Sequence, residues 1–214
     1  MNRTSWRGIV LTLAMVVGLV SYGRAQSGSR LTKAAHADSI RAFQQELDAE
    51  YRDPAQTPLP AEARPAFQGL PFFPADYRYY VEATFVRDSL SAPFKMKTTG
   101  LREPEYRKYG ELHFVVDGKK LKLSVYQGLE LMRKPGYEDY LFVPFTDPTN
   151  GHETYGGGRY IDFRIPKASV VPLDFNRAYN PYCAYNTSGK YSCPVPPAEN
   201  RLPVPIRAGV RADH

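Results

Sequence analysis

The chain has 214 residues, of which 43% are hydrophobic and 23% are charged, and its formal net charge at pH 7 is +6. This length suits one domain with a substantial hydrophobic core. The lysines of Lys119–Lys122 are interrupted by Leu121, which is typical of a solvent-facing strand. Because the sequence contains no clustered basic stripe, nucleic-acid binding is not predicted.

The first 25 residues have the features of a signal peptide. Arg3 and Arg7 form a positively charged start, and residues 8–20 form an apolar segment of signal-peptide length. Gly23 and Ala25 supply the small side chains that a signal peptidase selects just before the cleavage site. We therefore predict cleavage after residue 25 and export to the periplasm or the extracellular space. Loss of the three arginines in this segment lowers the formal charge from +6 to +3.

A retained N-terminal anchor is the alternative to cleavage. Trp6 and Arg24 flank the apolar segment as they would flank an anchor. A comfortable membrane span needs about 20 apolar residues, however, and this segment is shorter. We therefore predict no stable membrane insertion after cleavage. Residues 26–30 are predicted to be a flexible leader, and residues 31–211 a single β-rich domain.

A helix is predicted from about residue 33 to residue 52. Its apolar residues recur at spacings of three and four, which places them on one face: Ile40, Phe43, Leu47 and Tyr51. Thr32 or Asp38 is suited to cap the start, and Pro54 ends the pattern. His36 lies near the start of this amphipathic helix, and we expect its side chain to face solvent.

From residue 77 onward the pattern alternates with a period of two, which predicts strands. The clearest signal is a hairpin, in which alternating apolar residues flank Asp117-Gly118, a pair suited to a type I′ turn. Further strands are predicted at residues 94–99, 140–145, 158–163, 169–175 and 204–210. No helical pattern separates these strands, so a parallel sheet is not expected. The predicted fold is mainly β (α+β), a single antiparallel β-barrel or sandwich with one N-terminal amphipathic helix.

Cys183 and Cys193 are the only cysteines. They flank a polar loop, which in an oxidising compartment predicts a disulfide that closes a hairpin-like loop. A reactive or metal-binding cysteine is the alternative, but no second pair or neighbouring histidine supports zinc. His152-Glu153 resembles the start of a zinc-hydrolase motif, yet Gly156 stands where the second histidine is required. No metal site is predicted.

Residues 156–158 are three consecutive glycines that lead into Arg159. Such glycines can bring backbone N–H groups close to an anion. A phosphate loop, however, ends in a helix N-terminus, and here a strand pattern follows, so we interpret the glycines as a bulge or a tight start to a strand. Two interpretations of Arg159 stay open. It can act as a fork for a carboxylate or other oxyanion, or it can form a structural ion pair with Glu153 or Asp174.

Four segments together carry a resemblance to a known family. They read GLPFFPADYRYYVEATF, TYGGGRYIDF, LDFNRAYNPYCAY and CPVPPAENRLPVPIRAG. They resemble the recurrent blocks of a bacterial family of uncharacterised proteins, domain of unknown function 1684. The resemblance covers nearly all of the chain from the predicted helix to Arg211, and the joined NPYCAY and CPVPPAEN blocks are its most specific part. It implies no activity, cofactor or catalytic residue that could be carried over.

Polar residues crowd into residues 153–200, which predicts a binding site for a small polar or anionic ligand. The predicted lining residues are Arg159, Tyr160, Asn176, Asn180, Tyr182 and Glu199. A second hypothesis is a hydrolase with Glu153, Asp162 or Asp174 as acid/base. Arg159 would then stabilise developing negative charge. A third hypothesis is a structural or interaction protein of the cell envelope with an apolar surface patch. No cofactor motif is found, and no oligomeric state is predicted.

Overall fold

The computed structural model describes residues 30–212. Within them the chain forms the helix α1 (Lys33–Arg52) and seven strands joined by loops and short 3₁₀ turns. The strands are β1 (Tyr80–Arg87), β2 (Phe94–Lys95), β3 (Glu105–Val116), β4 (Lys119–Gly128), β5 (Tyr140–Phe145), β6 (Arg159–Arg164) and β7 (Val170–Asp174). The predicted signal peptide and residues 26–29 of the predicted leader lie outside the described residues. No helix between residues 30 and 212 is long and apolar enough to cross a membrane.

All seven strands belong to one antiparallel sheet, with the order β6-β5-β4-β3-β1-β7 and with β2 paired to β3. The sheet curls into a half-barrel. The prediction of a mainly β, antiparallel fold with one helix is therefore confirmed. The prediction of a closed barrel or a sandwich is wrong, because the sheet is open and its edge strands β6 and β7 do not pair with each other.

The predicted strand at residues 204–210 explains part of this difference. In the structure these residues form no strand ladder, and the carbonyl groups of Ile206 and Ala208 accept hydrogen bonds from the Arg159 side chain. Their alternating apolar side chains still enter the main core: Val204, Ile206 and Ala208. The predicted strand is therefore wrong, although its alternation did mark the buried side chains, and the carbonyl groups of Ile206 and Ala208 accept from a side chain instead of a neighbouring strand.

The hairpin of β3 and β4 follows the prediction. Asp117 and Gly118 have φ angles of 49° and 75°, the positive values that a type I′ turn requires at both central positions. Val116 pairs with Lys119 across this turn. Alternate residues of both strands point into the main core, which the neighbouring strands and the C-terminal segment complete.

The helix runs from Lys33 to Arg52, and the Thr32 side chain caps its start by accepting from the backbone N–H of Ala35 at 3.2 Å. The expectation that His36 faces solvent is wrong, because the side chain is only 2% exposed. Its Nε2 atom lies 3.0 Å from Oδ2 of Asp174, at the end of β7, and its ring stacks on Tyr80. This partner is 138 residues away in sequence, so the local pattern gave no sign of it.

Candidate functional site

A cleft of about 510 Å³ opens between α1 and the sheet face that is turned away from the main core. One wall comes from the helix: Phe43, Glu46, Leu47 and Glu50. These positions are separated by three and four residues, so they share one face of the helix. The remaining walls come from β5 and β6, from residues 191–194, and from five further residues: Tyr106, Leu131, Tyr179, Pro181 and Tyr182.

Strand alternation places the sheet wall of the cleft. Leu141, Val143 and Ile161 belong to the main core, so their neighbours along β5 and β6 point to the opposite face. Those neighbours line the cleft: Tyr140, Phe142, Tyr160 and Asp162. Phe142 and Asp162 face each other directly in the strand register. This wall is therefore aromatic and carries one carboxylate.

Asp162 is the acceptor for two tyrosines of the cleft. The hydroxyl groups of Tyr140 and Tyr179 donate to its Oδ1 atom at 2.7 Å and 2.6 Å. Burial raises the pKa of both tyrosines well above the usual value of 10, and the Asp162 carboxylate raises it further. Both phenols therefore stay protonated at neutral pH, and both protons point at the carboxylate.

Two of the predicted ligand-binding residues, Tyr160 and Tyr182, line this cleft. The Tyr160 hydroxyl donates to the backbone carbonyl of Pro194, and the Tyr182 hydroxyl donates to Oε1 of Glu50 at 2.5 Å. Burial raises the pKa of both phenols, and for Tyr182 the hydrogen bond to Glu50 adds to the effect. The structure thus brings these two residues together with a helix carboxylate.

Arg159, the residue singled out for anion binding, lies inside the molecule with 0% exposure. Its Nη2 donates to Oδ2 of Asp147 at 2.8 Å and to the carbonyl of Ile206 at 2.7 Å, and its Nη1 donates to the carbonyl of Ala208. Its Nε atom has no acceptor among residues 30–212, and the guanidinium lies over the Phe145 ring at 5.2 Å. The ion pair is therefore made with Asp147, not with Glu153 or Asp174 as the sequence suggested.

Asn176 and Asn180 are also buried and lie outside the cleft lining. The Asn176 side chain accepts from the N–H of Asp76 and donates to its carbonyl, both at 2.9 Å, which ties the segment before β1 to the segment after β7. Asn180 donates to the Tyr185 hydroxyl and to the carbonyl of Arg211. Its Oδ1 atom has no partner among the described residues. Both amides hold chain segments together.

Glu199 lies apart from the cleft as well. Its Oε1 atom accepts from the Tyr126 hydroxyl at 2.6 Å and lies 3.7 Å from the Lys108 ammonium. Half of its side-chain surface is exposed. Of the six predicted ligand-binding residues, the cleft therefore contains Tyr160 and Tyr182 and not the other four.

The three carboxylates of the hydrolase hypothesis have three different surroundings. Glu153 accepts from Arg207 Nε at 2.9 Å, and this contact lowers the pKa of the glutamate. Asp174 contacts His36 at the start of α1. Among the three, Asp162 is the one that lines the cleft.

The glycine run and the cysteine pair lie in chain segments that border the cleft. Gly158, with φ of 90°, directly precedes β6, as expected for glycines that start a strand. The sulfur atoms of Cys183 and Cys193 are at disulfide distance, with their Cα atoms 6.3 Å apart, which agrees with the predicted pairing. Since Cys193 lines the cleft, this link holds one of its walls.

Comparison with known proteins places the chain in a family without assigning it an activity. A family model described as "Protein of unknown function (DUF1684)" matches residues 65–211. The chain belongs to this family. The predicted resemblance is thus confirmed. The chain is also 34% identical, with a TM-score of 0.63, to the solution NMR structure of the uncharacterized protein from gene locus rrnAC0354 of Haloarcula marismortui. That match covers 81% of this chain and 92% of the other, and no match is found among curated proteins.

Sequence reasoning missed most of the cleft of this family member. Glu46 and Glu50 occupy a helix face that also carries apolar residues, and they resemble ordinary solvent-facing charges. Tyr140 and Phe142 occur in a strand that was predicted with the right bounds, and their alternation with Leu141 is the signal that could have assigned them to a second face. The segment between Glu153 and Asn200, which the sequence singled out, does supply a further part of the lining.

Proposed function

We propose that this protein is a binding module for a small molecule, held in the cleft between α1 and strands β5 and β6. One observation carries the proposal: the cleft combines a volume of about 510 Å³ with aromatic walls and a few convergent polar groups. Known small-molecule sites have this composition and volumes of roughly 300–1,000 Å³. We retain the small polar ligand that the sequence predicted, and we assign its site to the cleft and not to Arg159.

The contacts of the other predicted residues support this relocation. Arg159 already donates to three oxygen atoms inside the molecule. Asn176 and Asn180 bind backbone groups of distant segments. A ligand would have to displace these bonds, and a buried polar group left without a partner costs about 1–3 kcal/mol. We assign these three residues to the architecture and Tyr160 and Tyr182 to the site.

The same geometry counts against a hydrolase that uses Glu153, Asp162 and Asp174 as its acid/base carboxylates. A pair of carboxylates that cooperates in acid/base work has to share one cleft. Glu153 is engaged by Arg207 and Asp174 lies beside His36, whereas Asp162 lines the cleft.

We also propose that the protein is exported. The N-terminal sequence supports this, and so does the cysteine pair at disulfide distance, since structural disulfides belong to oxidising compartments.

The binding proposal is tested by an NMR fragment screen of the chain from residue 26, with a library that contains cationic, neutral and anionic compounds in equal numbers. Hits should shift the resonances of residues that line the cleft, such as Leu47 and Tyr160. Leu131 lines the cleft, so Leu131→Trp should fill part of it and weaken binding of the hits at least tenfold.

Leu90→Trp is the matched control, because Leu90 is 93% exposed and lies outside the cleft lining. This variant should bind the hits as the unmodified chain does. If Leu131→Trp unfolds the chain, Leu47→Trp tests the same point from the helix wall. Hits that bind the filled variants unchanged, or a library without any hit in the cleft, would refute the proposal.

A further inference from the structure

We infer that the ligand of the cleft is an organic cation, an apolar or aromatic body that carries an amine or quaternary ammonium group. This inference rests on the proposed function, because it names the chemical class that the same cleft selects. It also narrows the prediction from sequence, which admitted an anionic ligand.

The charge of the lining is the first reason. Three carboxylate side chains, Glu46, Glu50 and Asp162, line the cleft, and its lining contains no lysine, arginine or histidine. None of the three forms an ion pair with another residue in the range 30–212. Arg102, which acts electrostatically on the Tyr106 hydroxyl at one end of the cleft, is itself paired with Glu130. Among residues 30–212, no cationic side chain therefore pairs with these three carboxylates.

The direction of the hydrogen bonds is the second reason. Six tyrosines line the cleft, and four of their hydroxyl protons are already directed at protein oxygens. Tyr140 and Tyr179 donate to Asp162, Tyr182 donates to Glu50, and Tyr160 donates to a backbone carbonyl. An anion needs hydrogen-bond donors, whereas this lining presents mainly acceptors. An ammonium group has donors and no acceptor, so it complements the lining.

The arrangement of the rings is the third reason. Phe142 and Tyr160 meet at 74° with centroids 4.7 Å apart, and Tyr160 and Tyr179 meet at 89° with centroids 5.9 Å apart. All three rings line the cleft, so this part of its wall is aromatic. A cation within about 6 Å of a ring centroid is attracted by the negative face of the ring, and aromatic boxes bind quaternary ammonium groups in this way.

The carboxylates and the aromatic rings of the cleft would both attract the positive charge of the ligand. Asp162 faces Phe142 in the strand register, and its carboxylate accepts from Tyr179, one of the tyrosines of the cleft. A neutral ligand would gain only the ring contacts and the apolar burial. An anionic ligand of the same shape would meet three like charges, so charge is the property by which the cleft discriminates most strongly.

The test measures the affinities of three probes that differ mainly in charge: phenethylamine, 2-phenylethanol and phenylacetate. Titration followed by NMR should show phenethylamine binding in the cleft at least tenfold more tightly than 2-phenylethanol, with phenylacetate weakest. Asp162→Asn removes the charge and keeps an oxygen that accepts from Tyr140 and Tyr179. This variant should weaken phenethylamine binding about tenfold, and binding of 2-phenylethanol should not change.

Glu62→Gln is the matched control, because it makes the same change in net charge at an exposed residue outside the cleft lining. It should leave all three affinities unchanged. Glu46→Gln serves as a second charge-removing variant if Asp162→Asn unfolds, since Glu46 is an exposed helix residue. It should also weaken phenethylamine binding selectively.

The outcomes separate this inference from the binding proposal. If phenylacetate or 2-phenylethanol binds the cleft as tightly as phenethylamine, the cleft binds ligands without selecting cations, and only the inference is overturned. The same holds if phenethylamine does not bind at millimolar concentration while other fragments do. If no compound of any charge binds in the cleft, both proposals fail.

Discussion

At the scale of single residues, the pair of Arg159 and Asp147 joins distant parts of the chain. Asp147 Oδ2 accepts from the guanidinium, and its Oδ1 accepts from the backbone N–H groups of Thr149 and Ile206. Burial lowers the pKa of Arg159, and the Asp147 carboxylate opposes this shift. Both side chains are fully buried, so each charge depends on the other and on the surrounding backbone groups.

Arg159→Met should therefore lower the free energy of unfolding by about 3–5 kcal/mol, because it leaves a buried carboxylate without its cation. Arg164→Met is the matched control in the same strand, since Arg164 pairs with Asp139 but both side chains are 56% exposed. Its loss should stay below about 1 kcal/mol. Urea unfolding of the two variants measures both values. Equal losses would show that the buried pair does not hold the C-terminal segment.

At the scale of elements, two glycines with similar backbone angles have different surroundings. Gly118, at the hairpin turn, has φ of 75°, and a Cβ atom added there would have no neighbouring atom within 4 Å. Gly158, before β6, has φ of 90°, and a Cβ atom there would lie 2.7 Å from the Phe145 carbonyl oxygen and 2.8 Å from Pro196 Cγ. The first position needs glycine only for its angle, whereas the second also needs it for space.

Alanine at these two positions separates the two effects. Gly118→Ala should lower the free energy of unfolding by about 1–2 kcal/mol, which is the cost of a left-handed conformation. Gly158→Ala should lower it by about 1–3 kcal/mol more than that, since overpacking adds to the strain. Thermal and urea unfolding of both variants provide the comparison. A loss at Gly158 no larger than that at Gly118 would contradict the close packing before β6.

The elements also show how far sequence alone predicts this protein. The helix bounds and the Asp117-Gly118 hairpin were correct, because residues close together in sequence decide them. The burial of His36 and the partner of Arg159 were missed, because each depends on a contact with a distant segment. The cleft was missed for the same reason, since its helix wall and sheet wall are separated by about a hundred residues of chain and neither wall is distinctive by itself.

At the scale of the whole molecule, stability should depend on a charged cluster on the central hairpin. Glu111 of β3 accepts from the Lys108 ammonium at 2.7 Å and from the Lys122 ammonium, on β4, at 3.0 Å. His113 Nε2 lies 2.9 Å from its other oxygen. The hydrogen bond from Lys108 lowers the pKa of Glu111 to about 2, and Lys122 contributes in the same direction. The carboxylate is therefore harder to protonate in the folded chain than in the unfolded chain.

The sign of the pH dependence follows from this shift. A carboxylate with a lowered pKa stabilises the fold at every pH above its unfolded value, which is 4.5, and this stabilisation disappears as the pH falls towards 2. Partial exposure of both lysines screens the interaction. We therefore expect a contribution of about 1 kcal/mol at neutral pH, well below the value that the full pKa shift would imply.

Glu111→Gln should thus lower the free energy of unfolding by about 1 kcal/mol at pH 7, because glutamine cannot pair with the lysines. The difference from the unmodified chain should shrink steadily between pH 4.5 and pH 2. Urea unfolding at a series of pH values measures it. Glu103→Gln, at an exposed glutamate, should give no such pH-dependent difference. A loss for Glu111→Gln that is the same at pH 7 and close to pH 2 would mean that the side chain stabilises the hairpin by packing and not by its charge.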